Sequence, residues 1–375
     1  MIKASTPYAN KIHNAKLPVR SVALNYLYFD GIRLEFHGGA QGQLSTSNIT
    51  VDSCVFFSAA QSRVSTARAR LGQLKLAFLE NSGVHKCVFL RDSNAFGVAS
   101  KFSNTVGVEV TGNICGLDLS KMNWLSSQIE PVNYWQDQKQ KLEFLRTRYS
   151  LAADQGFFKS YLYDQCDKQM LIRENIFNGS PNTGNLHKDH AMYLKGFEAI
   201  DVSGNYVRGW PADASGGIKA RNGQALWLAR NYIDDTGILL YTYNRSKNCL
   251  YDGLKDIVIY GNHIVQRTNP NNRTSGISYL EPLGTQGNRD ENIKYSANVF
   301  QIVNVSDPTI FKCIWLTNGR VPQHHVYEDN VYYNTSTKVK VQARNAAPSY
   351  ENGDIDVAIQ KAYNYTPYQL NIPPY

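Results

Sequence analysis

A short pattern of residues recurs nine times along this 375-residue chain and limits the folds that it can adopt. The pattern is an apolar residue, any residue, an apolar residue, two small or polar residues, Asn or Cys, any residue, and an apolar residue. The Asn or Cys position is filled in turn by Cys54, Cys87, Asn113, Asn175, Asn205, Asn231, Asn262, Asn298 and Asn330. Seven of the eight steps between these positions are 26 to 36 residues, and one is 62. A repeat of this length is the signature of a solenoid, in which each coil packs only on its neighbours.

Each copy predicts a strand, a sharp bend and a second short strand, as in Ile200-Asp-Val202-Ser-Gly-Asn205-Tyr-Val207. Alternation along the first strand points its two apolar residues inward. We expect the Asn to take the left-handed backbone conformation of the bend, which it tolerates better than most residues. Stacked Asn amides can also hydrogen-bond to one another and satisfy their buried polar atoms. Cys54 and Cys87 fit the same interior position as small residues. The cysteine spacing does not resemble a zinc site.

The sequence therefore predicts an all-β chain that forms a right-handed parallel β-helix. A second set of short strands begins near Gly217, Gly237 and Gly276. A β-sandwich or a propeller would show shorter or more uniform spacing together with hairpin turns.

Three segments follow from where the repeat begins and ends. Residues 1–25 are expected to form an N-terminal cap, residues 26–334 the β-helix, and residues 335–375 a C-terminal capping tail. The long step holds Trp135, Leu142, Leu145 and Tyr149 at helical spacing, which predicts a helical insertion at about residues 120–165. This helix would either wall a binding groove or pack on the side of the solenoid for stability.

Charge and hydropathy restrict the partners. The net charge of +8 and the isoelectric point near 9.0 mildly favour polyanions. The chain lacks dense Lys/Arg tracts and nucleic-acid-binding motifs, so we expect no nucleic acid partner. It also lacks an apolar run of about 18 residues, so we expect no membrane span. The first residues lack the apolar stretch of a signal peptide. We expect an extracellular, periplasmic or virion-associated protein that is exported by another route or with a leader outside this chain.

Three strands that follow successive bends place polar and aromatic residues on one outer surface. In residues 191–195, 217–221 and 238–243 the alternating apolar residues point inward. The outward residues are Tyr193, Lys195, Lys219, Arg221, Tyr241 and Tyr243, with His190 at the entrance of the first strand and Arg245 just beyond the last. Neighbouring coils of a sheet are about 4.8 Å apart, so we expect two tyrosine pairs around a Lys/Arg pair.

This set of side chains suits cleavage of an acidic sugar by β-elimination. The reaction requires neutralisation of a carboxylate, removal of the adjacent proton and protonation of the leaving oxygen. Arg suits the first task through bidentate pairing, while Lys, His or Tyr can transfer protons. We therefore expect Lys219, Arg221, His190 and Tyr241 to be catalytic. The expected substrate-binding residues are Tyr193, Lys195, Tyr243, Arg245 and, in a later coil, Trp315.

The stretch His190-Ala-Met-Tyr193-Leu-Lys-Gly196, followed by Asn205 and by Gly217-Ile-Lys219-Ala-Arg221, resembles the pectate-lyase-like β-helix superfamily. The coil pattern is similar over most of residues 26–334, and the motif over about 187–245. The resemblance implies a Lys base, an Arg about one coil later and acidic residues that hold calcium, as in chondroitinase B-like and alginate lyases. Lys219 matches that Lys, whereas Tyr241 stands one coil later and Arg221 shares the strand of Lys219. The stretch before Lys219 is poor in the carboxylates that calcium requires. Calcium is thus the cofactor that the resemblance implies, and the residues assign no metal ligands.

Three functions remain open at this point. The leading one is a lyase that degrades an acidic, uronate-containing polysaccharide, either as a secreted enzyme or as a phage tailspike depolymerase. The second is a glycoside hydrolase, which needs two flanking carboxylates such as Glu281, Asp290 or Glu291. The third is a carbohydrate-binding adhesin or tailspike that does not cleave. A tailspike would be a homotrimer, and a secreted lyase a monomer.

Overall fold

A computed structural model describes most strands of the repeat and leaves the long connections out. The described residues are 2–3, 11–13, 21–30, 33–38, 48–58, 73–91, 100–118, 158–159, 167–178, 190–208, 217–242, 251, 253–266, 275–280, 290–302, 312–316 and 325–334. The predicted helical insertion lies almost wholly outside them, and the predicted C-terminal tail lies wholly outside them.

The described chain is built of β-strands that form three walls. The first wall contains β2 (Lys11–His13), β5 (Arg33–His37), β8 (Leu74–Ala77), β11 (Ser100–Ser103), β14 (Phe158–Lys159), the first part of β18 (Met192–Ser203), the first part of β20 (Ile218–Ala229), β22 (Ile238–Tyr241), β25 (Ser275–Leu280) and β28 (Lys312–Leu316). The second wall contains β3 (Ser21–Asn25), β6 (Asn48–Asp52), β9 (Gly83–His85), β12 (Glu109–Thr111), β15 (Asp167–Lys168), β16 (Leu171–Arg173), the second parts of β18 and β20, β23 (Leu254–Tyr260), β26 (Glu291–Ser296) and β29 (His325–Glu328). The third wall contains β1 (Ile2–Lys3), β4 (Tyr28–Asp30), β7 (Val55–Ser58), β10 (Val88–Arg91), β13 (Ile114–Asp118), β17 (Ile176–Asn178), β19 (Tyr206–Arg208), β21 (Tyr232–Asp234), β24 (His263–Gln266), β27 (Val299–Ile302) and β30 (Val331–Asn334).

Every wall grows by parallel pairing between one coil and the next. The third wall is a single 11-stranded sheet, and the other strands form a 15-stranded and a 4-stranded sheet. Strands β1, β2 and β3 pair in parallel with β4, β5 and β6, so the described part of residues 1–25 already continues the three walls. The chain is a parallel β-helix, as the repeat predicts. Among the described residues, none lies in a helix that could span a membrane.

The interior is filled by the alternating apolar residues of the repeat. Phe29, Phe56 and Phe89 stack at 4.9 Å between ring centroids on three successive coils of the third wall. Ile200 and Val202 of the second wall are buried, as the alternation predicts. Because side chains of one coil lie directly over those of the next, the core is continuous along the solenoid axis.

The predicted stack of asparagines is present and forms a ladder of amides. The side-chain Nδ2 of Asn205 donates to Oδ1 of Asn231 at 3.0 Å and to the carbonyl oxygen of Ile172 at 2.9 Å. Its Oδ1 accepts from both the backbone N and the Nδ2 of Asn175. The same bonds link each pair of neighbours from Asn113 through Asn175, Asn205, Asn231, Asn262, Asn298 and Asn330. Each buried amide is thereby satisfied from above and below.

The bend itself corrects one prediction, because the left-handed residue is the one before the Asn or Cys. Positive φ is found at Ser53, Lys86, Gly112, Glu174, Gly204, Arg230, Gly261, Ala297 and Asp329. The asparagines keep ordinary backbone angles and are selected for their amides instead. Five of these nine residues are neither Gly nor Asn nor Asp, so hydrogen bonds around the bend must offset the cost of left-handed geometry.

Cys54 and Cys87 occupy the ladder position in the first coils, as predicted. Both are fully buried, and their thiols donate to the carbonyl oxygens of Leu24 and Val51. Burial raises the pKa of the Cys87 thiol well above its usual range, so the thiol stays protonated. The backbone N of Cys87 donates to Oδ1 of Asn113 at 2.8 Å, which joins the thiols to the asparagine ladder.

Candidate functional site

Strand β20 presents two cations side by side on the outer surface of the first wall. Ile218 and Ala220 are fully buried, so Lys219 and Arg221, which alternate with them along the strand, point outward. The register places Lys219 beside Tyr193 of β18 and Arg221 beside Lys195. On the other side, Arg221 lies beside Tyr241 of β22. Four of the nine predicted site residues therefore meet in one cluster, which we call the cation–tyrosine patch (Tyr193, Lys219, Arg221 and Tyr241).

The Lys219 ammonium lies between two tyrosine rings. Its Nζ is 5.1 Å from the ring centroid of Tyr193 and 4.8 Å from that of Tyr241. A cation over an aromatic face is attracted by the electron density of the ring, by about 0.5–2 kcal/mol depending on its exposure. These contacts bridge three successive coils and fix the direction of a long, rotatable side chain.

Arg221 joins the same two tyrosines from the neighbouring outward position. Its Nη1 donates a hydrogen bond of 3.2 Å to the hydroxyl oxygen of Tyr193, and its Cζ is 5.5 Å from the ring centroid of Tyr241. A guanidinium beside a phenol oxygen stabilises negative charge on that oxygen. The hydroxyl of Tyr193, which the sequence predicts to bind substrate, is thus held beside a cation.

His190 and Lys195 lie at the edge of the patch. His190 is buried, and its ring is 5.4 Å from the Tyr193 ring at an interplanar angle of 53°. Lys195 is half-buried and lies beside Arg221 in the sheet. His190 therefore contacts Tyr193 directly, and Lys195 adds a positive charge beside Arg221.

Tyr241 of the predicted second tyrosine pair lies beside Arg221, one outward position along the strand from the neighbour of Lys219. The register places buried Leu239, rather than a tyrosine, directly beside Lys219. Tyr243 and Arg245 lie outside the described residues. The backbone of Trp315 continues the row of Lys219 through Leu239 and Ser278, and its side chain lies outside the description. The sequence alternation was right for each strand but gave no information on the register between strands.

Two of the three carboxylates proposed for hydrolysis lie within the described residues, and both have other partners there. Asp290 is buried and accepts hydrogen bonds from Thr242 Oγ1, Leu254 N and the hydroxyl of Tyr279. Glu291 is exposed and pairs with Lys255 at 2.9 Å. Glu281 lies outside the described residues. Asp290 therefore serves as a hydrogen-bond acceptor inside the coil, and its burial keeps it from contact with a substrate.

No group of three or more His, Cys, Asp and Glu side chains that could hold a metal ion occurs in the described part of the chain. The row neighbours of Lys219 are Tyr193 and Leu239, neither of which is a hard oxygen ligand for calcium. Within the described part of the chain, the residues around Lys219 do not fit the calcium site that the resemblance implies.

The fold and the patch define a parallel β-helix with a cationic, tyrosine-lined surface. Its fold was compared with solved structures. The surface adhesin PfbA of Streptococcus pneumoniae matches with 11% identity and a TM-score of 0.38, over 90% of this chain and 86% of PfbA. A mannuronic acid specific polysaccharide family 6 lyase from human gut microbiota matches with 12% identity and a TM-score of 0.35, over 88% of this chain and 80% of the lyase.

An endo-xylogalacturonan hydrolase from Aspergillus tubingensis matches with 10% identity and a TM-score of 0.23, over 93% of this chain and 91% of the hydrolase. No protein-family model and no curated protein matches the sequence. At these identities and scores, no residue role is carried over from these proteins to this chain.

Proposed function

We propose that the cation–tyrosine patch binds an acidic polysaccharide and cleaves it by β-elimination. The observation that carries the proposal is the arrangement of Lys219 and Arg221 around the Tyr193 side chain. Two adjacent cations suit a carboxylate, and the two tyrosines present both apolar faces and hydroxyl groups to a sugar ring.

Each step of the elimination has a group within the patch. Lys219 and Arg221 would hold the uronate carboxylate and stabilise the negative charge that develops on it. Tyr193 would first pass its own proton to His190 and then, as a phenolate beside the Arg221 guanidinium, would take the proton from the carbon next to the carboxylate. The bond between the neighbouring carbon and the glycosidic oxygen then breaks, a carbon–carbon double bond forms, and the leaving oxygen takes up a proton. We assign that proton donor to Tyr241, with His190 as the buried neighbour that exchanges protons with Tyr193.

Binding without cleavage is the second candidate function. It is favoured by the two ring faces that hold Lys219, because such a setting stabilises the ammonium and opposes its use as a base. Cleavage then depends on Tyr193 rather than on the lysine that the resemblance implies. The two candidates share a substrate and differ only in chemistry.

One experiment separates these functions. The protein is incubated with alginate, polygalacturonate, hyaluronan and chondroitin sulfate, while new reducing ends and the ultraviolet absorbance of unsaturated uronates are followed. For a lyase both signals rise together on at least one polymer. Reducing ends without the absorbance would mean hydrolysis, and retention in affinity electrophoresis without either signal would mean binding alone. No signal and no retention on any of the polymers would overturn the proposal.

Location and assembly follow as part of the same proposal. A protein that acts on such polymers would work outside the cell or on a virion. Light scattering coupled to gel filtration distinguishes a monomer from the homotrimer that a tailspike requires.

A further inference from the structure

The second wall carries an aromatic surface that the cation–tyrosine patch does not use. In β20, Leu226 and Leu228 are buried, so Trp227 between them points outward and is 40% exposed. Few large apolar side chains of the described residues are this exposed; the others are Tyr26 and Val326. A single exposed apolar residue is common, but an exposed tryptophan that belongs to a contiguous apolar surface points to binding.

The Trp227 ring lies next to a second aromatic ring from the following coil. Tyr260 of β23 is half-buried, and its ring centroid is 6.0 Å from that of Trp227 at an interplanar angle of 31°. Val258 lies directly beside Trp227 on the same coil as Tyr260. The three side chains form a shallow apolar surface that spans two coils, with one polar hydroxyl at its edge.

Charged groups surround this surface on the side of the preceding coils. Asp201 lies directly beside Trp227 and forms an ion pair with Arg173. Arg230 follows β20 at the bend and interacts electrostatically with Tyr260, Asp201 and Arg173. With two guanidinium groups and one carboxylate, the rim is cationic and rich in hydrogen-bond donors.

The size of the surface excludes a stable protein interface. Two coils and two outward positions along a strand cover on the order of 100 Å². A specific protein interface buries about 800 Å² on each partner. The ion pairs Lys255–Glu291 and Lys294–Glu328 lie on β23, β26 and β29 of this wall. Their charged side chains limit any extension of the apolar area. One or two sugar rings match the area available.

We infer that Trp227 and Tyr260 form a second polysaccharide-binding site, which takes one or two rings of an acidic polysaccharide. The apolar face of a sugar stacks on Trp227, while Arg230 and Arg173 donate hydrogen bonds to its hydroxyl and carboxylate oxygens. The site holds the polymer and performs no chemistry. It does not depend on cleavage at the cation–tyrosine patch, because it lies on a different wall.

Affinity electrophoresis of Trp227→Ala and Tyr260→Ala in gels that contain alginate or polygalacturonate tests this inference. We expect the affinity of Trp227→Ala for the retained polymer to fall about tenfold, which corresponds to about 1.4 kcal/mol. Val326→Ala is the matched control, since it removes an exposed apolar side chain from the same row three coils away and should bind like wild type. Arg230→Gln should weaken retention by these acidic polymers, because it removes one cation from the rim.

Three outcomes would overturn the inference. Wild-type retention of Trp227→Ala with every polymer would remove the site, and loss of its thermal stability would make Trp227 a structural residue. Dissociation of an oligomer by Trp227→Ala would make the surface an interface between copies. If the protein does not cleave these polymers, the retention experiment still tests the second site, because retention does not require turnover.

Discussion

The ladder of asparagines and the cation–tyrosine patch lie on the same coils and obey opposite rules. In the ladder, one amide is repeated on seven successive copies and every member makes the same bonds. In the patch, Tyr193, Lys219 and Tyr241 occupy equivalent or adjacent outward positions of neighbouring coils and no two neighbours are alike. Repeated residues inside the solenoid stabilise the fold. Non-repeated residues on its outer surface are where we expect a ligand to bind.

The sharpest test of this contrast is to remove the cations. We expect Lys219→Ala and Arg221→Ala each to reduce cleavage by about 100-fold or more, because each removes charge stabilisation from the developing enolate. The melting temperature should fall by no more than a few degrees, since each substitution removes contacts with the two tyrosines and leaves the core intact. Initial rates on the polymer that the wild type cleaves measure the effect.

Lys255→Ala is the control for the loss of a positive charge, since Lys255 is exposed on the second wall and pairs with Glu291. It should cleave like wild type. Full activity of both Lys219→Ala and Arg221→Ala would show that the chemistry lies elsewhere.

Breaking the ladder should have the converse effect. Asn205→Ala removes bonds to Asn175, Asn231 and the carbonyl oxygen of Ile172, and leaves buried polar atoms without partners. We expect the free energy of unfolding to fall by about 3 kcal/mol. Urea denaturation followed by circular dichroism measures it, and binding by the folded fraction should persist.

Exposed Asn25 provides the matched control, and Asn25→Ala should change stability by less than about 0.5 kcal/mol. Equal effects of the two substitutions would mean that the ladder is not a source of stability.

A smaller change separates chemistry from binding within the patch. Tyr193→Phe removes only the hydroxyl that accepts a hydrogen bond from Arg221. If this oxygen transfers the proton, cleavage should fall by about 100-fold while polymer retention changes less than about threefold. A parallel loss of both would show that Tyr193 only binds. Tyr241→Phe, assigned to the leaving oxygen, should lower the rate with unchanged retention as well.

The smallest expected effect concerns pH and the outer surface of the second wall. Burial lowers the pKa of His85, and the positive charge of Lys86 lowers it further. The carboxylates of Asp52 and Glu109 raise the pKa but do not outweigh burial. The Nδ1 atom of His85 lies 2.7 Å from Thr111 Oγ1. A lowered pKa means that the unfolded chain binds the proton more readily. Stability from neutral His85 is therefore complete above the unfolded pKa of about 6.5 and is lost as the pH falls towards the folded value.

Thermal melts of wild type and His85→Gln at several pH values isolate this contribution. We expect the difference between the two proteins to change as the pH falls below about 6.5 and to be constant above it. A difference that is constant at all pH values would show that His85 does not titrate on folding.

Much of the fold was readable from the sequence because the repeat samples the same environment many times. The inward alternation of Ile200 and Val202, the interior position of Cys54 and the amide stack follow from period and chemistry alone. The left-handed residue before each Asn was missed, since residues as different as Lys86 and Glu174 adopt it. Hydrogen bonds that cannot be seen in one coil decide that geometry.

The site was less predictable because it depends on register. The sequence correctly placed Lys219 and Arg221 outward but could not show that Leu239, rather than a tyrosine, lies beside Lys219. Nor could the sequence show the hydrogen bond from Arg221 to Tyr193, because this bond joins two neighbouring coils. Trp227 left a signal that was overlooked: an aromatic residue stands between two leucines at an outward position of the repeat.

Strand β20 runs unbroken from the first wall to the second, with positive φ at Asn222 and Ala225 where it turns. Within this one strand, Lys219 and Arg221 lie before the turn and Trp227 lies after it. Hydrogen-bonded neighbours on both sides hold the two surfaces at a fixed separation. A polymer bound at the proposed Trp227 site would therefore be tethered near the cations at a high effective concentration, and avidity would arise without a linker or a second domain.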